Sequence, residues 1–245
     1  MTCEYRLETR IGITTSFEAQ EQRLHHSYVQ AVEQAGGLPV IVPILTEVLS
    51  IQAFASWIDG LVIPGGPAIT EGLIGTLPED ISETDPLRVR SEVRLLEAIL
   101  AARKPVLGIC YGMQLLNARA HGTIYADVER QRAESLVHSQ KRGATTHSVT
   151  LAEGSCLHTL LQTNEIEVNT RHIQALATVG TGFRATATAP DGVIEAIENE
   201  DGTVLGVQFH PERMGTTMQP LFRHLVACAT AQRTSRQILY ATENE

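Results

Sequence analysis

The sequence predicts an α/β fold: a mainly parallel sheet with an antiparallel extension in its second half. Three observations carry that expectation. Short apolar runs alternate with amphipathic helical segments through the first half of the chain. A cysteine between two glycines sits where one apolar run meets a helical pattern. After it, strand-like segments follow one another through short turns.

The elements follow in order. "RIGITTS" reads as a first strand. Residues 22–35 carry Leu24, Tyr28, Ala31, Val32 and Ala35 at helical spacing, and Gly36-Gly37 can end that helix. "LPVIVPIL" is continuously apolar, as expected of a strand covered on both faces. A helix near 48–57 leads to the strand "DGLVIPGG", and 67–85 is irregular. A helix over 86–103 puts Val89, Val93, Leu96 and Leu100 on one face, and "KPVLGI" is the fourth strand. Strands and helices alternating in this way imply right-handed crossovers. Later, "HSVTLAE", "FRATATAP", "GVIEAIEN" and "TVLGVQFH" read as strands, with hairpin turns at Asp191-Gly192 and Asp201-Gly202. Residues 130–142 are polar and read as a surface loop, and a last helix covers 217–232. No composition shift marks a boundary, so residues 1–245 are expected to form a single domain.

Charge narrows the function. The 245 residues carry a net charge of -9, which opposes a nucleic-acid or acidic-membrane partner because phosphate recognition needs a clustered positive field. No apolar run reaches the roughly 20 residues that span a bilayer, and the first ten residues lack the apolar core of a secretory signal. A cytoplasmic protein without a membrane partner is expected. Cys3, Cys110, Cys156 and Cys228 are far apart with no C-x-x-C pairing, which argues against disulfides and zinc; Cys156 and Cys228 read as small core fillers. His25-His26, His138 and His147 lack zinc-ligand spacing and read as surface residues. "GGPAITEG" lacks the lysine of a phosphate loop.

The chemistry centres on "GICYG". The ends of parallel strands gather ligands at one sheet edge, and Cys110 follows the fourth strand there. A G-x-C-x-G step is similar in form to a nucleophile elbow, whose tight turn pushes one side chain outward between small neighbours. The helix N-terminus it opens favours a thiolate. A packed cysteine between glycines is the plain alternative. His210 ends "TVLGVQFH" before Pro211, and Glu212 lies two residues on, within reach of the imidazole. Together they make a nucleophile, a base and acid, and an orienter. Acyl transfer also needs oxyanion donors, available from the Tyr111 N–H and from "PGGP" at 64–67. Gln114 falls one turn along the helix on the same face as Cys110.

These residues together resemble the class I glutamine amidotransferase family, and more closely its γ-glutamyl-γ-aminobutyrate hydrolase-like branch, peptidase C26. The similarity rests on five segments in order: "YVQAVEQAGGLPVIVP", "KPVLGICYGMQLLN", "GTIYADV", "VNTRHIQAL" and "GVQFHPE". The resemblance implies a Rossmann- or flavodoxin-like three-layer sandwich with a mixed sheet. It implies Cys110 as nucleophile, His210 as general base and acid, and Glu212 as orienter. It implies Gly66 and Tyr111 as oxyanion donors, Gln114 as a contact to the glutamyl end, and Arg171, His172 and Ile173 as pocket lining. The chain departs from the branch where "PAITEGLIGTLPED" replaces an aspartate-rich loop, at Val89, and at Ile173, where a second histidine is usual.

The expected activity is hydrolysis of a small-molecule γ-glutamyl amide through a thioester on Cys110. That chemistry calls for no metal and no organic cofactor. Two rivals stand beside it: a glutaminase subunit handing ammonia to a separate synthetase, and a non-catalytic binding or regulatory protein on the same fold. A homo-oligomer and a synthetase partner both remain open.

Overall fold

The computed structural model describes residues 9–242; Cys3 and most of the N-terminal stretch that was read for a signal sequence lie outside the described residues. The first half runs β1 (Arg10–Thr14), β2 (Ser16–Glu18), β3 (Glu21–Arg23), α1 (His26–Gln34), β4 (Leu38–Val42), α2 (Val48–Trp57), β5 (Gly60–Ile63), β6 (Leu73–Ile74) and α3 (Pro86–Ala101). Then come β7 (Val106–Ile109), α4 (Tyr111–Arg119), β8 (Thr123–Tyr125), α5 (Val128–Gln131), β9 (Thr146–Leu151), α6 (Cys156–Leu161) and β10 (Glu165–Asn169). The chain finishes with β11 (Ala175–Thr178), β12 (Phe183–Thr188), β13 (Ile194–Asn199), β14 (Val204–Val207) and α7 (Gln219–Thr242).

Nine strands form one sheet in the order β10-β9-β12-β13-β14-β7-β5-β1-β4. From β4 to β14 the pairings are parallel, and from β14 outward they are antiparallel. The parallel sheet and its antiparallel extension therefore match the expectation. Strand alternation divides the core. Leu107, Ile109 and Val62 face Tyr28 and Val32 of α1 and Phe222 and Leu225 of α7. Val106, Leu61 and Ile63 face Ile51 of α2, Leu96 and Ile99 of α3, and Leu115 of α4. The result is three layers, helix on sheet on helix.

Several local expectations fail for identifiable reasons. Residues 22–24 are not helical, because β2 and β3 form a hairpin whose turn residues Ala19 and Gln20 both have positive φ, at 50° and 66°. That turn lacks the Asn-Gly signal that marks most such hairpins. β4 is an edge strand with one solvated side, and Ile41 is 56% exposed. The buried face of α3 is shifted by one residue and contains Arg88, Glu92, Leu95, Leu96 and Ile99, while Leu100 is exposed. β10, β11 and the short α6 have no counterpart in the sequence reading. The segment 130–142 is not a plain surface loop, since His138 and Ser139 are buried. Cys156 and Cys228 are half-buried free thiols; Cys156 packs against the core as expected, while Cys228 is not part of a core cluster among the described residues. No helix among the described residues is long and apolar enough to cross a membrane.

Candidate active site

Glycines decide where Cys110 sits. α4 starts directly after β7, so its first turn must lie against the neighbouring strands. A Cβ added to Gly108 would come within 2.6 Å of the Gly112 backbone, and one added to Gly112 would overlap the Ile63 carbonyl. Cys110 occupies the bend between them with φ 51° and ψ -103°, a strained conformation for a residue with a Cβ. Two hydrogen bonds hold it there. Its N–H donates to the Val207 carbonyl at 2.7 Å, and its own carbonyl accepts from Gln114 N–H at 3.1 Å. The side chain is 7% exposed and forms part of a cleft of about 360 Å³.

Gly66, Gln114, Arg171, His172 and Ile173 all line that same cleft. Tyr111 is buried and contributes its backbone at the first position of α4, where an N–H has no intrahelical acceptor. Gln114 is also buried. Its Nε2 donates to the Gln174 carbonyl at 3.2 Å and to Gln208 Oε1 at 3.1 Å, so the side chain is held in place.

His210 follows β14, the strand beside β7, so the parallel register brings it alongside Cys110. Pro211 stops the extended chain and begins a short 3-10 turn, Pro211–Arg213. Within that turn His210 Nδ1–H donates to Glu212 Oε1 at 2.9 Å, and the Glu212 side chain is fully buried. Burial alone would depress the imidazole pKa. Cys110 and then Glu212 reverse this and raise it from 6.5 to about 9. His210 also borders a neighbouring hollow of about 220 Å³ with Tyr28, Gly65 and Arg213. The imidazole thus stands between Cys110 and a second opening.

The "PGGP" turn is held from behind. Arg88 donates to the Pro64 and Gly65 carbonyls at 3.3 and 3.4 Å. In a trans peptide the C=O and N–H point opposite ways. Binding the Gly65 carbonyl to Arg88 therefore turns the Gly66 N–H away from Arg88. Arg88 is fully buried and pairs with Glu92 at 3.1 Å; Glu92 also accepts from Tyr111 Oη at 2.8 Å and Thr14 Oγ1 at 2.6 Å. A Cβ on Gly66 would overlap the Arg88 guanidinium.

Sequence reasoning gave no role to Tyr28 or Asn169, and it noted Arg88 and Glu92 only as residues shared with the family branch. Tyr28 reads as one more apolar-face residue, yet its hydroxyl accepts from Gly65 N–H at 3.1 Å and lies 3.5 Å from His210 Nδ1. Its phenol is the one polar tip in that stripe, the only signal available. Asn169 bonds the His210 backbone from both sides. Arg88 and Glu92 stand at i,i+4 with opposite charge, a spacing that more often marks a solvated pair.

His138 and His147 are a correction. They are not surface residues: they converge with His172 and Glu195 behind the cleft wall, their ligand-type atoms all within 4.8 Å of one another. His25 and His26 are exposed, as expected.

The chain is similar to known proteins along most of its length. Residues 7–212 match the family model for peptidase C26. Protein NtpR of Enterococcus hirae is 36% identical over 208 residues, covering 81% of this chain and 86% of that protein. The gamma-glutamyl-gamma-aminobutyrate hydrolase PuuD of Escherichia coli K12 is 30% identical over 200 residues, covering 78% and 79%. Among solved structures, the glutaminase domain of Trypanosoma brucei CTPS with bound acivicin superimposes with a TM-score of 0.65 at 16% identity, covering 91% of this chain and 94% of that one, a likeness of fold. With its family model spanning most of the sequence, this chain belongs to the peptidase C26 family.

Proposed function

We propose that the protein hydrolyses a γ-glutamyl amide at its C–N bond through a γ-glutamyl thioester on Cys110, releasing an amine or ammonia. The observation that carries this reading is Cys110 held at φ 51° in the cleft, with the half-buried His210 against it and the buried Glu212 behind the ring. The Cys110 sulfur attacks the γ-carbonyl. The developing oxyanion takes hydrogen bonds from Tyr111 N–H and Gly66 N–H. His210, aligned by Glu212, gives its proton to the departing nitrogen. Water then attacks the thioester carbonyl while His210 accepts its proton, and the sulfur leaves with glutamate released. On the cleft wall, Arg171 and Lys141 offer cationic groups to the α-carboxylate of the glutamyl half, and Gln114, His172 and Ile173 complete the pocket. The hollow on the far side of His210 gives the amine half a place to lie.

The test is amine release from a panel of γ-glutamyl amides, by the protein alone, with Cys110→Ala as comparison. The substitution is expected to abolish release, and undiminished turnover overturns the reading. A second reading, a glutaminase that feeds a synthetase, draws on the fold shared with a CTPS glutaminase domain. Turnover by the isolated chain across several amines favours the hydrolase. Glutamine hydrolysis that needs a partner chain favours the glutaminase.

A further inference from the structure

Behind the cleft wall, four side chains from separate segments meet at one point. They are His138, from the segment after α5, His147 of β9, His172 between β10 and β11, and Glu195 of β13. All four side chains are buried: His138 and Glu195 show no exposure, His172 1% and His147 7%. We propose that this cluster is a divalent metal site with three imidazole nitrogens and one carboxylate oxygen, suited to Zn²⁺, and that it stiffens the wall of the substrate cleft.

Hydrogen bonding on the outer side of each ring fixes where the protons are. His172 Nδ1 faces the Gln174 carbonyl at 2.9 Å, His147 Nδ1 faces the Ser148 carbonyl at 3.1 Å, and His138 Nε2 faces Asp191 Oδ2 at 2.8 Å. Carbonyl and carboxylate oxygens only accept, so those three nitrogens carry the hydrogens. The remaining nitrogen of each ring then presents a lone pair inward. His172 Nε2, His147 Nε2 and His138 Nδ1 lie 3.3, 3.4 and 3.7 Å from Glu195 Oε1. Neither Glu195 oxygen makes a hydrogen bond, and neither does His147 Nε2 or His172 Nε2. Thr170 Oγ1 is 3.4 Å from His138 Nδ1, but its hydroxyl donates to the His138 carbonyl at 2.8 Å. Three imidazole nitrogens and a carboxylate facing one another in a buried cluster call for positive charge among them, which either one protonated ring or a bound cation supplies, and Zn²⁺ uptake tells the two apart.

The spacing fits a metal. Zinc binds imidazole nitrogen and carboxylate oxygen at about 2.0–2.2 Å in a tetrahedron, whose donors are then about 3.3–3.6 Å apart. The three separations from Glu195 Oε1 fall at or near that edge length, and all four atoms lie within 4.8 Å of one another, so the rings must draw slightly inward to close a tetrahedron. An oxygen-only cage would suit Mg²⁺ or Ca²⁺ and thiolates would suit Cu⁺, whereas three imidazoles with one carboxylate suit Zn²⁺. The outward bonds to Asp191 and to two carbonyls are the arrangement that orients histidine ligands. Four protein donors close the coordination sphere, which marks a structural site rather than a catalytic one. Its place in the wall gives it a task. His138 precedes Ser139, Gln140 and Lys141, and His172 lies between Arg171 and Ile173, all of which line the cleft.

Metal content tests this independently of activity. The purified full-length chain is stripped with a chelator and titrated with Zn²⁺ alone, and bound metal is measured by mass spectrometry. One Zn²⁺ per chain is expected. Co²⁺ in its place should give the strong visible bands of a tetrahedral site without a thiolate charge-transfer band. His147→Ala and Glu195→Gln should each weaken binding roughly 100-fold or more, while Cys110→Ala leaves it unchanged. Folded wild-type protein that takes up no Zn²⁺ at saturating concentration overturns the proposal without any variant. Undiminished binding in both His147→Ala and Glu195→Gln also overturns it, because the metal would then lie elsewhere.

Discussion

Asn169 grips the backbone of His210 from both sides. Its Nδ2 donates to the His210 carbonyl at 2.8 Å, and its Oδ1 accepts from the His210 N–H at 3.0 Å. The pair copies the reciprocal bonding of two strand residues just where β14 has ended and no strand partner remains. A side chain thereby fixes the position of an imidazole that Pro211 would otherwise leave on an irregular bend.

Asn169→Ala should therefore act through His210 rather than on substrate. Two backbone groups lose their partners, which costs about 1–3 kcal/mol of stability. The proton-transfer steps suffer more than binding, so kcat should fall roughly 10- to 100-fold with KM changed far less. Steady-state kinetics beside a denaturant curve separates the two effects. An unchanged kcat in the folded variant would remove Asn169 from this role.

The raised pKa of His210 predicts a pH dependence with a definite sign. The imidazolium is favoured in the folded state up to about pH 9, against 6.5 for the free group. Its contribution to stability is whole below pH 6.5 and is lost as pH rises through 9. If the imidazolium protonates the leaving nitrogen, kcat should decline on the alkaline side near pH 9. Glu212→Gln removes one of the two groups that raise the pKa, so the alkaline limb should move to lower pH and kcat should drop about 10- to 100-fold. A profile whose alkaline limb stays in place in Glu212→Gln would show that the carboxylate does not tune the ring.

Legibility in the sequence followed the range of the interactions. Cys110 was readable because its signal is local: Gly108 and Gly112 flank it within one turn, and apolar β7 announces the sheet edge. His210 and Glu212 were readable for the same reason, being two residues apart after a strand that ends in proline. Asn169 was not, because its partner lies 41 residues away and the contact is to backbone, which any sequence supplies. Of the His138–His147–His172–Glu195 cluster, only His138 and His147 were weighed as ligands and set aside on spacing; His172 was read as pocket lining and Glu195 carried no signal. The members of the cluster come together only through the pairing of β9 with β10 and β12, and of β12 with β13, and no ligand motif spans such a sheet. The exposed edge at β4 was misread because an edge strand and a central strand can both be continuously apolar.

Gly66→Ala probes the turn that faces the sulfur. The added methyl overlaps the Arg88 guanidinium, which is buried and tied to Glu92 and the Pro64 and Gly65 carbonyls. The guanidinium cannot swing out without leaving Glu92 unpaired, so the turn must move instead. Displacing the Gly66 N–H should lower kcat about 100- to 1,000-fold, the usual cost of losing one oxyanion donor. Arg88→Met attacks the same turn from behind and should also destabilise the fold by about 3–5 kcal/mol, since it leaves a buried carboxylate without its cation. Gly66→Ala with wild-type kcat would exclude this amide as a donor.

Lys104 supplies the opposite case, a residue whose loss should harm stability and spare chemistry. Its ammonium is buried and donates to the Ala55, Ser56 and Ile58 carbonyls, closing the C-terminal end of α2. Lys104 precedes β7 while Cys110 follows it, so the full length of the strand, roughly 13 Å at about 3.3 Å per residue, separates the two. Lys104→Met keeps most of the apolar stem but leaves three carbonyls without their shared donor. Stability should fall about 2–3 kcal/mol, and the melting temperature by several degrees. At temperatures well below melting, kcat and KM should match the wild type. A large loss of kcat in folded Lys104→Met would mean that the two ends of β7 are coupled, and that the geometry of the Cys110 bend depends on how α2 is anchored at the other edge.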